Sequence, residues 1–171
     1  HAAVSNGNSN VARTLLNARA DVNARDYFGQ TPLHVGARED QIEPMKVLIE
    51  YRADLNATRP GTLETPAHMA AFYGRAAALE LLIKSGANLA AVDSTGRSFV
   101  HYGALRDHRK VIDTLARYNA DLSRSDLAGD TPLHLAAEYE SNSALEALAD
   151  RNVPINAQNF AKDTPLILAT R

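Results

Sequence analysis

The chain contains no cysteine. Disulfides, thiolate nucleophiles and cysteine-ligated metals are excluded together. No run of about 18 apolar residues occurs, the length at which a membrane-spanning helix becomes a candidate. No segment has the form of a secretory signal peptide, although a chain that opens without Met, inside a repeat, makes that absence uninformative. The net charge is only -2, which favours neither nucleic acid nor an acidic membrane. The motif inventory is equally bare. There is no P-loop, no G-x-G-x-x-G, no H-E-x-x-H, no EF-hand loop and no G-x-S-x-G. The acidic residues are scattered rather than paired for glycoside chemistry. An enzyme is therefore not expected.

What the chain does have is a period. Five of its six histidines, His1, His34, His68, His101 and His134, stand 33, 34, 33 and 33 residues apart. Such spacing marks a repeat architecture, and it overrides the length prior of one or two ordinary domains. Thr31-Pro32-Leu33-His34, Thr65-Pro66-Ala67-His68 and Thr131-Pro132-Leu133-His134 are copies of one motif. Thr164-Pro165-Leu166-Ile167 is a fourth copy without the histidine, and Ser98-Phe99-Val100-His101 is a diverged one.

Each copy reads as a helix start. Threonine is a favoured N-cap, and proline suits the first helical position. Small residues follow, at Gly36-Ala37, Ala70-Ala71, Gly103-Ala104 and Ala136-Ala137, and they let neighbouring helices approach closely. A break at Gly7, Asp40, Gly74, Asp107 and Glu140 precedes a second apolar helix. Its expected core is Val47, Leu48 and Ile49, then Leu79, Leu81, Leu82 and Ile83, then Val111, Ile112 and Leu115, with Leu145 and Leu148 continuing the series. That helix ends at Arg19, Arg52, Gly86, Asn119 and Asn152, a left-handed position where glycine or asparagine is natural and arginine is strained. The segments Asp21–Ala24, Asp54–Ala57, Asn88–Ala91, Asp121–Arg124 and Pro154–Ala157 read as extended, leading to turns with Gly29, Gly96 and Gly129.

This pattern resembles the ankyrin repeat over the whole chain. D-x-x-G-x-T-P-L-H-x-A-A is nearly intact at Asp26–Ala37 and Asp126–Ala137. The resemblance implies an all-α solenoid of stacked antiparallel helix pairs with protruding β-turn or hairpin loops. It implies one array over 1–171, with copies at about 1–24, 25–57, 58–91, 92–124, 125–157 and 158–171. The third copy has a one-residue insertion in Thr58–Glu64, and Lys162 in the sixth replaces the turn glycine, so that turn is expected to be distorted. The first copy lacks its turn, the last stops at Arg171 inside a first helix, and neither end has the polar face of a capping repeat. A longer array, with flanking repeats or domains, is expected.

The resemblance also bears on the histidines. In this family the imidazole of the Thr-Pro-Leu-His block bonds locally and braces the turns. Equivalent histidines about 10 Å apart could not share one metal ion. Ser98, His101, Asp107 and His108 hold the letters of a hydrolase triad, yet Ser98 stands for the cap threonine. No metal or cofactor is expected. Arginines near the turns alternate with carboxylates, so no phosphate track forms and no nucleic acid is expected.

Ankyrin-like arrays bind partners on the concave side, through turn tips and first-helix ends. Carried over by position, the expected contacts are Tyr27, Phe28, Gln30 and Arg97 at tips, with Phe160 at the last tip. At helix ends they are Arg38, Glu39, Phe72, Tyr73, Leu105, Arg106, Glu138 and Tyr139. Six of the chain's ten aromatics fall on such surface positions. Aromatics with arginine dominate binding hot spots, although the same rings could instead stiffen the tips. The family's asparagine hydroxylation motif is matched at Asn23, Asn56 and Asn156. The resemblance thus implies a protein-binding scaffold in an intracellular, cytoplasmic setting, without membrane insertion. Two other readings are a regulatory or tethering segment of a larger enzyme or channel, and an architectural part of a large assembly.

Overall fold

The computed structural model describes residues 1–170, and within them the regular elements are all helices. In chain order these are α1 (Ala2–Ser5), α2 (Ser9–Asn17), α3 (Pro32–Arg38), α4 (Ile42–Glu50), α5 (Pro66–Phe72), α6 (Ala76–Lys84), α7 (Phe99–Leu105), α8 (Arg109–Arg117), α9 (Pro132–Glu138), α10 (Asn142–Ala149) and α11 (Pro165–Leu168). Arg171 lies outside the described residues.

Two compact units emerge. The first is His1–Ala70 with Arg75–Asn88, and the second is Ala71–Gly74 with Leu89–Arg171. In the first, α3 packs on α1 and α4, and α4 packs on α2 and α6. Val4, Leu33, Met45, Leu48, Leu79 and Leu82 fill its core. In the second, α9 packs on α7, α10 and α11, and α8 packs on α7 and α10. Phe99, Ile112, Leu115, Leu135 and Leu148 fill that core. Short inner helices, seven residues in α3, α5, α7 and α9 and four in α1 and α11, alternate with outer ones of eight or nine.

The small inner-helix residues set the packing distance. A Cβ added at Gly36 would lie 2.7 Å from Met45 Cγ and 3.1 Å from Val4 Cγ1, so only a glycine lets these helices meet. The outer-helix core is offset from its sequence reading. Val47, Leu48, Leu79, Leu82, Val111, Ile112, Leu115 and Leu148 are buried, whereas Ile49, Leu81, Ile83 and Leu145 are only half-buried. Met45, Ala78, Ala144 and Ala147 take inward positions instead. Apolar runs such as Leu81-Leu82-Ile83 go round the helix, and only one stripe of it can face the core.

Every positive φ in the described chain falls at one of three repeat positions. These are the turn (Gly29, Gly61, Leu63, Gly96, Gly129, Lys162), the break between helices (Gly7, Asp40, Gly74, Asp107, Glu140) and the end of the outer helix (Arg19, Arg52, Gly86, Asn119, Asn152). Arg19 and Arg52 adopt the left-handed conformation that their register demands, at φ 66 and 61.

Two expectations are corrected. The segments after the outer helices are turns, not extended strands. Asp21 Oδ1 accepts the Asn23 N–H, Asp54 Oδ1 accepts that of Asn56, and Asp121 Oδ1 accepts that of Ser123, each at 2.9 Å. An aspartate two residues upstream closes a local ring that competes with extension. The turn at Lys162 keeps its shape. Lys162 sits at φ 69, its N–H reaches Asn159 O at 3.0 Å, and Asn159 N–H reaches Asp163 O at 3.0 Å. The glycine-containing turn at Gly129 has the same two bonds, at 3.1 and 2.8 Å. Asn159 holds the Lys162 turn by accepting from Ala161 and Asp163 N–H, each at 3.0 Å. The insertion in the third copy does change its turn. Arg59 replaces the turn carboxylate and pairs with Glu64 across it.

Candidate functional site

The histidine ladder resolves as scaffold. Thr31 N–H donates to His34 Nδ1 at 3.1 Å, so Nδ1 is an acceptor and the proton sits on Nε2. Nε2–H then donates to the Glu64 carbonyl, 30 residues on, at 3.1 Å. His101 repeats this between Ser98 and Asp130, and His134 between Thr131 and Asp163. His1 Nε2 meets the Gln30 carbonyl at 2.7 Å. His34, His101 and His134 each tie their own helix cap to the following turn. Burial holds His34 down to about 4, helped by Arg25 and Arg59 and opposed by its bond to Glu64 O, and burial likewise lowers His101.

The letters of a triad do not assemble. Ser98 Oγ is 2.9 Å from His101 Nδ1, but both are buried, and the threonines of the other copies have the same geometry. Asp107 Oδ1 is occupied by the Ala144 N–H at 2.8 Å, and His108 Nε2 by the Phe72 carbonyl at 3.0 Å.

A second ladder escaped the sequence reading. Gln41 Nε2 reaches Ser5 O at 3.4 Å and Arg75 Nε reaches Arg38 O at 2.9 Å in the first unit, while His108 Nε2 reaches Phe72 O in the second. Three different side chains occupy one repeat position, each bonded to the inner-helix end of the preceding repeat. Because only the capacity to donate is shared, the position has no letter pattern. The effect is to fix the helix ends where partner contacts are expected. At Gly74, φ +70, an added Cβ would lie 2.8 Å from the His108 ring, so glycine is what lets this anchor approach.

In the second unit, the helix ends form an aromatic cluster around an arginine. The Phe72 ring is half-buried, edge-to-face with Tyr102 at 5.7 Å and with Tyr73 at 5.1 Å. Arg106 places its guanidinium 4.7 Å from the Phe72 ring centroid, in cation–π contact. Tyr102 is buried and donates to Asp93 Oδ2 at 2.6 Å. Asp93 in turn accepts N–H bonds from Thr95 and Arg97 on Oδ1. Those donors, with the Tyr102 hydroxyl, hold the Asp93 carboxyl below its usual range even though burial works the other way. Tyr73 and Tyr139 are exposed at 41% and 55%, Arg106 and Glu138 are exposed, and Leu105 is half-buried. Phe72, Tyr73 and Arg106 are thus neighbours.

The tips are also apolar. In the first unit, Tyr27 and Phe28 stand edge-to-face at 5.5 Å, and Tyr27 is 96% exposed. In the second, Leu127 and Phe160 are exposed while their backbones bond from turn to turn: Leu127 N–H to Thr95 O at 2.9 Å, and Phe160 N–H to Ala128 O at 3.2 Å. Other expected contacts are already engaged within the chain. Gln30 is buried, its Oε1 accepting from Arg38 at 3.2 Å. Arg38 also pairs with Glu39 at 2.7 Å, and Arg97 pairs with Asp126 at 3.2 Å. Asn23 and Asn56 use Oδ1 to accept the N–H of Asp54 and of Asn88, each at 2.9 Å, which bolts successive turns together.

Comparison with known proteins agrees with this geometry. A family model described as "Ankyrin repeats (3 copies)" matches residues 1–59 and 59–126, and one described as "Ankyrin repeats (many copies)" matches 115–169. The chain belongs to the ankyrin repeat family. It is similar to neurogenic locus notch homolog protein 1 of Homo sapiens, with 41% identity over 106 residues, which is 61% of this chain and 4% of that protein. The Mus musculus and Danio rerio proteins of the same name are 40% and 37% identical over the same lengths. The chain therefore spans only a small part of these relatives. Ankyrin repeats are generally protein–protein interaction modules without catalysis of their own. Among the described residues, no helix is long and apolar enough to cross a membrane.

Proposed function

We propose that the chain binds a partner protein through its turn tips and inner-helix ends, and that it has no catalytic role itself. The observation that supports this most is the Phe72-Tyr73-Arg106 cluster: aromatic rings and a guanidinium held together by a buried tyrosine, yet open to solvent on one side. Large exposed aromatics beside arginine are the common composition of a binding hot spot. The Tyr27-Phe28 pair of the first unit is a second, separate contact patch. Family membership supports the protein-binding class, and the choice of face follows from exposure.

Tyr73→Ala tests it. Tyr73 lies outside the core, so the variant should keep its melting temperature while co-purification of native partners drops by about tenfold or more, as for a hot-spot truncation above 1.4 kcal/mol. Undiminished recovery would argue that the rings serve packing alone.

A further inference from the structure

The chemistry of the partner can be read from Arg106. Most arginines here are used internally. Arg13, Arg38, Arg59, Arg97, Arg109 and Arg151 pair with carboxylates. Others, such as Arg25, Arg75 and Arg124, donate to backbone carbonyls. Arg106 is exposed, and its guanidinium donates to no acceptor among the described residues. It is nevertheless not a loose surface side chain. Its guanidinium carbon lies over the half-buried Phe72 ring, Phe72 rests on buried Tyr102, and Tyr102 is pinned by the Asp93 carboxylate. Nearby acidic groups do not claim it: Asp107, the adjacent residue, spends Oδ1 on the α10 backbone.

We propose that Arg106 is the receptor for a carboxylate on the partner protein, with the apolar neighbour of that carboxylate seated against Phe72 and Tyr73. This deepens the binding role proposed above and rests on it. The occupant is an acidic–apolar peptide segment, an Asp or Glu next to a large apolar side chain. Charge complementarity sets the first half of that description, because a guanidinium with all its donors unspent is matched by a planar carboxylate, which it binds in two parallel bonds. The aromatic wall sets the second half. A phosphorylated segment fits less well, since phosphate recognition uses clusters of arginines and the Phe72 ring cluster holds one. Holding the guanidinium on a ring lowers the ordering cost of the bond, which makes this arginine different from one waving in solvent.

The test selects short random peptides on the full chain, then measures binding of the enriched peptides to variants. Enriched sequences are expected to place Asp or Glu beside Leu, Phe or Met. Their affinity should fall with added salt and should drop about ten- to a hundredfold for Arg106→Gln, the range of a charge-assisted bond. Arg106→Gln should melt within about a few degrees of the parent, having lost one exposed cation–π contact. Replacing the acid of the peptide by its amide should then cost little further. Enriched peptides that lose affinity for Tyr73→Ala but keep it for Arg106→Gln would overturn this inference and leave the binding face standing. Peptides indifferent to both variants, or no enrichment, would overturn both.

Discussion

The melting temperature should fall steadily as the pH is lowered from about 7 to about 4. The four histidines at the Thr-Pro-Leu-His position are completely buried. His34 has its pKa lowered to about 4, first by burial and then by Arg25 and Arg59, and burial lowers that of His101 as well. A histidine in the unfolded chain titrates near 6.5. The unfolded state therefore binds more protons between about 6.5 and 4. Stability is fully present above the upper value and is lost as the pH falls toward the lower one. For His34 the full shift corresponds to on the order of 3 kcal/mol. The geometry supplies the cause. A proton added to Nδ1 would confront the Thr31 N–H, which already donates there. His34→Ala should cost about 3–5 kcal/mol at neutral pH, from a cavity and two orphaned backbone groups, and should flatten the acid limb of the profile. Thermal melts of both proteins across this range check the two effects. A parent protein equally stable at both ends would refute the lowering of these histidines by burial.

Phe99→Pro should destabilise the chain even though it restores the residue that four other copies carry. Phe99 begins α7 and is 2% exposed. Phe99→Ala should cost about 3–5 kcal/mol through the cavity left behind. Proline at a helix start contributes at most about 1 kcal/mol through the unfolded chain. It fills part of the space, so a net loss of about 2 kcal/mol is expected. Denaturant titration distinguishes this from the stabilisation that motif restoration alone would predict.

The repeat made much of the fold legible. Five histidines in register gave the helix starts, and the same register located Arg19 and Arg52 at left-handed positions despite their unsuitable chemistry. What failed depended on local or cross-repeat bonds. The Asp21 and Asp54 segments are turns because each aspartate accepts the N–H of the asparagine two residues on. That spacing was a readable turn signal. The side chain of Lys162 is no guide to its turn, which Asn159 governs. Gln41, Arg75 and His108 share a role without sharing a residue type. At the candidate site, position along the repeat found Phe72, Tyr73 and Arg106. It could not show that Gln30 turns inward, nor that Tyr102 and Asp93 support the cluster from below.

The claim at the centre is that the partner meets the inner-helix ends rather than the outer helices. Placing a photocrosslinking residue singly at Tyr73, Tyr139 or Lys110 in the native full-length protein tests it directly. Tyr73 and Tyr139 end inner helices, and exposed Lys110 lies on the outer helix α8. Partner adducts are expected from the two tyrosine positions and not from Lys110. Adducts from Lys110 alone, or equally from all three, would contradict it and point to a segment embedded on several faces within a larger assembly.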